Sequence, residues 1–174
     1  MTDRSPVLER IQGLMPEAVL EVHSFRGDDT VVVRPDQVAD LLGLLRDEPE
    51  LAFTMLVDVT CVDQLGRREP RFEVVYHLLS LQYGTRLRVK APVPEENPTL
   101  PTATGLFRSA DWGEREVAEF FGITFEGHPD PRKLLLYDEF EGYPLRKDYP
   151  KRKRQPLVEY RSDACTEIRG RDCR

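Results

Sequence analysis

Cysteine is scarce. Cys61, Cys165 and Cys173 are the three in 174 residues, and no CxxC pair occurs among them. An odd, scattered set forms no disulfide framework. Cys165 and Cys173 also lack the close four-ligand spacing of a zinc or iron–sulfur site. Long apolar runs are missing too, since none approaches the ~20 residues of a membrane span. The opening MTDRSPVLERIQGLMPE has neither the apolar core nor the small-residue cleavage site of a secretory signal. The expected setting is a reduced, cytosolic one, with any membrane association made through a partner. No GxGxxG, P-loop, GxSxG or HExxH motif is present, so the common signatures of dinucleotide, phosphate, acyl-transfer and zinc-protease chemistry are absent. Nor is there an excess of base. Lys and Arg number 25 against 31 Asp and Glu, a net charge of -6, the wrong sign for a chiefly nucleic-acid-binding chain.

What is present describes a globular protein. A hydrophobic fraction of 40% beside a charged fraction of 32% supplies enough apolar side chains for one sizeable core. The charge is unevenly placed. Residues 144–174 hold ten Lys/Arg and five Asp/Glu, a net +5, while residues 1–143 hold fifteen and twenty-six, a net -11. The chain reads as an acidic body with a basic tail.

Local patterns then predict the elements. Ser5-Pro6 suits an N-cap and first helical position, and Val7, Leu8, Ile11, Leu14 and Met15 recur at helical spacing up to Pro16. Residues 18–25 alternate like a strand, Arg26-Gly27-Asp28-Asp29 is turn chemistry, and TVVVR is β-branched, which together predict a hairpin. Pro35-Asp36 opens a second helix that buries Val38, Leu41, Leu42, Leu44 and Leu45. Strands are expected at 52–62, 71–81 and 84–91, with turns at 64–68 and 82–85. Such short connections predict antiparallel neighbours. Pro92, Pro94, Pro98 and Pro101 then mark a loop. Residues 111–122 form the clearest helix: Asp111 as N-cap, Glu114 completing a capping box, Val117, Phe120 and Phe121 as the apolar face, Gly122 as C-cap. The sum over 1–122 is an α+β domain, an antiparallel or mixed sheet of about five strands with helices packed on it.

From Ile123 onward no helical or strand pattern persists. Phe-Glu-Gly-aromatic-Pro occurs at 125–129 and again at 140–144, where the Gly and Pro set turns and the rings act as anchors. A structureless stretch of this length is unusual inside a compact domain. Yet Phe125, Leu134, Leu135, Leu136, Tyr137, Phe140, Tyr143, Leu145 and Tyr149 are too many apolar anchors for a solvated tail. Residues 123–174 are therefore read as an extended, irregular C-terminal arm that becomes ordered on a partner.

Candidate chemistry is sparse. His23 and His77 fall on expected strands, where a packed or surface imidazole is the simple reading. His128, followed by Pro129-Asp130, reads as a turn residue packed at an interface, with a pH-sensitive or hydrogen-bonding role as the alternative. Glu114, Glu116 and Glu119 share one helix, but Glu114 and Glu116 lie about 200° apart around it. No nucleophile or base partners them, so a cap, a dipole partner and a solvated or interface face are expected rather than catalysis. Lys151-Arg152-Lys153-Arg154 reads as a solvated or rim run, with RNA or anionic-lipid binding as the alternative.

Residues 114–150 resemble a known family. Glu114-Arg115-Glu116, Phe121-Gly122-Ile123, Gly127-His128-Pro129-Asp130, Leu134-Leu135-Leu136 and Pro144-Leu145-Arg146-Lys147-Asp148-Tyr149-Pro150 follow, in order, the signature of the 30 kDa subunit (C-type subunit) family of NADH-quinone oxidoreductase, respiratory complex I. Two positions depart from it: Tyr143 stands where many members have a second His, and Asp138-Glu139-Phe140 replaces a commoner Asp-Tyr-Gly-Phe. The resemblance implies a structural subunit of the hydrophilic arm with no cofactor, metal or catalytic residue of its own. FMN, iron–sulfur clusters and quinone would belong to other subunits of a translocase that couples NADH oxidation to proton transport. It implies a hetero-oligomer with the D-type subunit, the partner that helps form the quinone cavity, and with other hydrophilic-arm subunits. The complex would place the chain peripherally on the cytoplasmic side of the bacterial cell membrane. The equivalent subunit of a plastoquinone- or F420-linked dehydrogenase, or of a membrane-bound hydrogenase, is the alternative. The expected partner interface comprises Glu114, Arg115, Glu116, Phe121, His128, Asp130, Arg132, Phe140, Tyr143, Arg146, Lys147, Asp148 and Tyr149. A desolvated charge among these would cost ~2–5 kcal/mol on truncation, and a rim charge little.

Overall fold

The computed structural model describes residues 5–157; Cys165, Cys173 and the rest of the expected tail lie outside the described residues. Pro6 takes the first position of α1 (Pro6–Leu14), where its missing N–H breaks no bond. Ser5 stands at the N-cap without a side-chain cap bond, and Leu8 and Ile11 form the buried face. The hairpin follows as β1 (Val19–Phe25) and β2 (Asp28–Val33). Arg26 and Gly27 between them have φ of 55° and 87°, the left-handed pair that a two-residue hairpin turn requires. A 3-10 turn (Pro35–Gln37) leads into α2 (Val38–Asp47), which buries Val38, Leu41, Leu42 and Leu45. Full burial of such a side chain contributes ~1.5–3 kcal/mol, and this helix makes four such contributions.

Next come β3 (Met55–Asp63), β4 (Phe72–Leu79) and β5 (Arg86–Val93). The five strands form one sheet in the order β1-β2-β5-β4-β3. The short connections β1–β2, β3–β4 and β4–β5 make antiparallel pairs. The pair β2–β5 is parallel, so the sheet is mixed rather than wholly antiparallel. The cause is α2, which carries the chain from β2 across to the far edge; β3, β4 and β5 then return by hairpins and bring β5 alongside β2.

The four-proline stretch is more ordered than a loop. Pro92 lies within β5 opposite Glu73, beyond Lys90, where the pairing with β2 has ended. Its absent N–H therefore interrupts no ladder. Pro101 closes β6 (Thr99–Pro101), which pairs in parallel with β7 (Thr124–Glu126). Regular structure thus runs past residue 122, and α3 (Ala110–Phe121) is the crossover between these two short strands. Helices α1, α2 and α3 and the inner faces of the strands share one apolar core, with Phe53, Phe72 and Tyr76 its largest fully buried side chains. No helix among the described residues is long and apolar enough to cross a membrane.

The start of α3 corrects the capping-box expectation. Ser109, not Asp111, is the N-cap residue, and it makes no side-chain cap bond. Its Oγ donates instead to the Leu56 carbonyl at 2.9 Å, which ties the helix to β3. Glu114 is fully buried and accepts bonds from the Ala103 amide at 2.7 Å and from Thr102 Oγ1, not from the helix's own first amides. The chain leaving β6 presents that amide in the interior, and a buried N–H takes the acceptor at hand.

Candidate functional site

The irregular segment 127–157 lies back on the body of its own chain and is held by four polar clamps. The first is built at the end of the β3–β4 hairpin. Asp63 closes β3 and Arg71 precedes β4, and both side chains are buried, at 2% and 3% exposure. Arg71 grips Asp63 through Nε at 3.1 Å and Nη2 at 2.8 Å, the bidentate form that suits a guanidinium. It also donates to Glu95 at 2.6 Å and to both oxygens of Asp148, at 2.8 and 3.1 Å. The Lys147 amide donates to Asp63 Oδ2 at 2.8 Å. Burial alone would raise the Asp63 carboxyl; the bonds from Arg71 and from the Lys147 and Leu65 amides outweigh it and hold the group at about 2. Arg71 is raised, by Asp63 first and Asp148 second, and Asp148 is lowered by Arg71.

The second clamp is at the end of α3. Gly122 adopts φ of 75°, and a Cβ there would meet Arg146 Nη2 and the Tyr143 ring at 2.7 Å. Only glycine therefore lets the arm approach so closely. Arg146 donates from Nε to the Phe121 carbonyl. Its guanidinium lies 5.0 Å from the Phe72 ring centroid and 4.5 Å from that of Tyr143. Arg71 sits 4.9 Å from the same Phe72 ring. Between these charges the Leu145 amide reaches the Phe120 carbonyl at 3.2 Å.

The third clamp is a carboxylate in a backbone nest. Glu119, almost wholly buried, accepts from the amides of Leu134, Leu135 and Leu136 at 2.8, 2.9 and 3.3 Å. Beside it, Lys133 Nζ donates to the carbonyls of Asp138 and Phe140 at 2.9 and 2.8 Å, and Arg115 donates to those of Arg132 and Lys133 at 2.9 and 3.0 Å. Asp130 pairs with Arg132 at 2.7 Å and with Arg115 at 3.4 Å, and Arg132 leads the causes that lower its carboxyl.

The fourth clamp is His128, whose side chain is 4% exposed. The Asp130 amide donates to its Nδ1 at 3.1 Å. That leaves Nε2 to carry the proton and donate to the Asp111 carbonyl, also at 3.1 Å. The Phe-Glu-Gly echo now has a structural meaning. Gly127 and Gly142 both take left-handed φ, 81° and 87°. Each turn sets the next ring, His128 or Tyr143, against one end of α3. Phe140 itself stacks on Tyr149 at 6.3 Å and meets Tyr137 edge-on at 5.6 Å.

A groove of about 220 Å³ runs between α3 and the arm, lined by Glu114, Arg115, Ile123, Phe125, His128 and Tyr143. An adjoining hollow of about 450 Å³ shares Arg115 and Tyr143 and adds Glu119 and Lys133. Its polar groups are committed to holding backbone. Glu114 is raised by burial, against which the Thr102 and Ala103 bonds act. Both imidazole nitrogens of His128 bond main chain. Among the described residues no group of three or more His, Cys, Asp or Glu converges as a metal-binding set. Arg115, His128 and Glu119 hold the arm in place against α3.

Of the thirteen expected interface residues, Glu114, Arg115, Phe121, His128, Asp130, Arg146 and Asp148 meet around α3 and the hairpin end in contacts made within the chain. Arg132 pairs with its neighbour Asp130, and Phe140 and Tyr149 pack on each other. Glu116 and the Lys147 and Tyr143 side chains are exposed. Sequence reasoning passed over Asp63, Arg71 and Lys133, and it read Glu119 only with Glu114 and Glu116, as a cap, a dipole partner or part of a solvated or interface face. The hairpin and its turn also carry Asp58, Arg67, Arg68, Glu69 and Glu73, so nothing in the sequence singled out the Asp63–Arg71 pair.

These features define a class, a small α+β subunit whose irregular arm is clamped across its last helix. The family model for the respiratory-chain NADH dehydrogenase 30 kDa subunit matches residues 31–155, and the chain belongs to that family. It is 48% identical over 148 residues to the C-type subunit of the NADH-quinone oxidoreductase of Roseiflexus sp. strain RS-1, covering 85% of this chain and 84% of that one. It is 45% identical over 150 residues to the corresponding subunit of Trichlorobacter lovleyi, covering 86% and 91%. Among solved structures it resembles a trypsin-resistant fragment (1-134) of Nqo5, with a TM-score of 0.61 and 36% identity over 71% of this chain and 96% of that one. It also resembles a chain of the membrane-bound sulfane sulfur reductase, an archaeal respiratory membrane complex, with a TM-score of 0.70 and 28% identity over 83% and 84%.

Proposed function

We propose that this chain is a structural subunit in the hydrophilic arm of a proton-translocating NADH:quinone oxidoreductase, and that it docks on the D-type subunit, the quinone-cavity partner, through residues 127–157. It would bind no flavin, cluster or metal; those groups would lie in its partners, and the chain would meet the membrane only through the complex. The observation that carries this reading is the arm itself. Thirty-one residues without helix or strand are fixed by polar clamps, and Leu135, Tyr143, Leu145 and Leu157 on it remain 42–98% exposed. An ordered irregular segment with exposed apolar and aromatic side chains suits an interface better than a solvated loop. The Nqo5 relative, described as a trypsin-resistant fragment, matches 71% of this chain, which supports a protease-resistant unit in this chain too.

Co-expression with the D-type subunit tests this. The expected outcome is a stable heterodimer without flavin or iron, in which tryptic cleavage at Lys147, Lys151, Arg152 and Arg154 is slowed relative to the chain alone. Absence of a complex, or equal cleavage in both samples, overturns the docking reading. The likeness to the sulfane sulfur reductase chain favours one second reading, the equivalent subunit of a related respiratory complex with a different electron donor or acceptor. The subunits that co-purify from native membranes distinguish the two.

A further inference from the structure

We infer that residues 143–157 form a cationic docking strip for an acidic protein surface, which under the docking reading above is the face presented by the quinone-cavity partner. Residues 144–157 contain six Lys/Arg and a single acid, Asp148. The Asp148 carboxylate is turned onto the buried Arg71 at 2.8 Å. Of the six cations, Arg146 is held between rings and on the Phe121 carbonyl, and Lys153 pairs with Glu141 at 3.3 Å. Lys147, Lys151, Arg152 and Arg154 are left exposed, and none of them has an ion-pair partner among the described residues. The fold thus commits the neutralising anion to Arg71 and leaves four cations outside. The remaining sequence, 158–174, carries four residues of each sign, so by composition it cancels none of this charge.

The strip is also shaped. Backbone bonds from Arg146 to Tyr143, from Tyr149 to Arg146 and from Lys153 to Pro150, at 3.0–3.2 Å, fix its turns. Leu145, 53% exposed, stands beside the cations as an apolar anchor. A fixed apolar anchor with a charged rim is the pattern of a protein interface. A nucleic acid or a lipid surface fits less well. An extended polyanion reaches past the strip onto the body, whose residues 1–143 carry a net -11, whereas an acidic patch on a protein can be confined to the strip.

The test compares the full chain with a quadruple variant, Lys147→Gln, Lys151→Gln, Arg152→Gln and Arg154→Gln, and with Leu145→Ala. Binding to the purified D-type subunit is followed kinetically at low and high salt. The wild-type association rate should fall as salt rises. The quadruple variant should associate about tenfold more slowly at low salt, with a flattened salt dependence and an unchanged dissociation rate. Leu145→Ala should instead speed dissociation. Equal association rates and salt dependence in wild type and quadruple variant overturn the strip and leave docking standing. If the wild type does not bind this partner, docking and strip fall together. Salt-dependent binding to phosphatidylserine vesicles or duplex DNA that the quadruple variant loses would also overturn the proposal, by assigning the cations to a polyanion.

Discussion

Residues 5–126 and residues 127–157 are held in place by different forces. The body has a continuous apolar core in which Ile11, Leu41, Leu42, Leu45, Phe53, Phe72 and Tyr76 are fully buried. Its stability is spread over many side chains, so each contributes a modest share. The arm has no core of its own. It depends on a few groups supplied by the body, chiefly Arg71, Asp63, Glu119 and the carbonyls at the end of α3. Each clamp joins a charged or polar group to backbone. A segment built this way can be detached by single substitutions that leave the body folded, which is useful in a part whose proposed task is to meet another protein.

Arg71 is the place where this distinction should fail, because it serves both regions. Arg71→Met removes the partner of a carboxylate that is 2% exposed. Leaving one member of a buried pair alone costs about 3–5 kcal/mol. Urea unfolding should show that loss, and tryptic cleavage near Lys147 should accelerate in the same variant. A loss below about 1 kcal/mol would mean that Asp63 finds water or another donor, and that the arm is not secured there.

The legible part of this molecule was its local part. Helical spacing in α1, α2 and α3 and alternation in β1 to β5 are set by neighbours within a turn or a hairpin, and these elements lie where the pattern placed them. The parallel join of β2 to β5 is decided by a helix crossing the sheet, and no local pattern in Thr30 to Val32 reports it. Glu114 looked like a capping-box residue because Asp111 stood three positions earlier. Its role was decided by the Ala103 amide, which arrives through the β6–β7 pairing. The arm's anchors were legible as residue types, rings and arginines. Their partners were not, since Arg71 and Glu119 meet it only after the chain has folded back.

Acid should act on the two regions unequally. Asp63 has a folded value of about 2 against an ordinary 3.8. A carboxylate held low contributes stability that is fully present above its unfolded value and is lost as pH falls through its folded value. The shift corresponds to about 2 kcal/mol, lost between roughly pH 4 and pH 2. Asp148 is also lowered by Arg71, so the arm's hold on the hairpin weakens as well once acid protonates that carboxylate. Proteolysis by an acid-active protease should therefore open the arm at a higher pH than the one at which circular dichroism reports loss of the sheet. Simultaneous loss of both signals would show that the arm and body unfold as one unit.

Two glutamates on one helix give the finest version of the comparison. Glu119 is 6% exposed and holds the amides of Leu134, Leu135 and Leu136. Glu116, three residues away, is exposed. Glu119→Ala takes the acceptor from three arm amides. Because a released arm lets those amides bind water, the cost should sit at the low end of the usual penalty, about 1 kcal/mol, and fall on the arm. Hydrogen exchange at 134–136 should speed up while exchange in β4 stays unchanged. Glu116→Ala should alter stability by less than about 0.5 kcal/mol and leave both regions as they were. If Glu119→Ala instead speeds exchange in β4, the nest supports the core as well, and the arm belongs to the body's cooperative unit rather than lying on it.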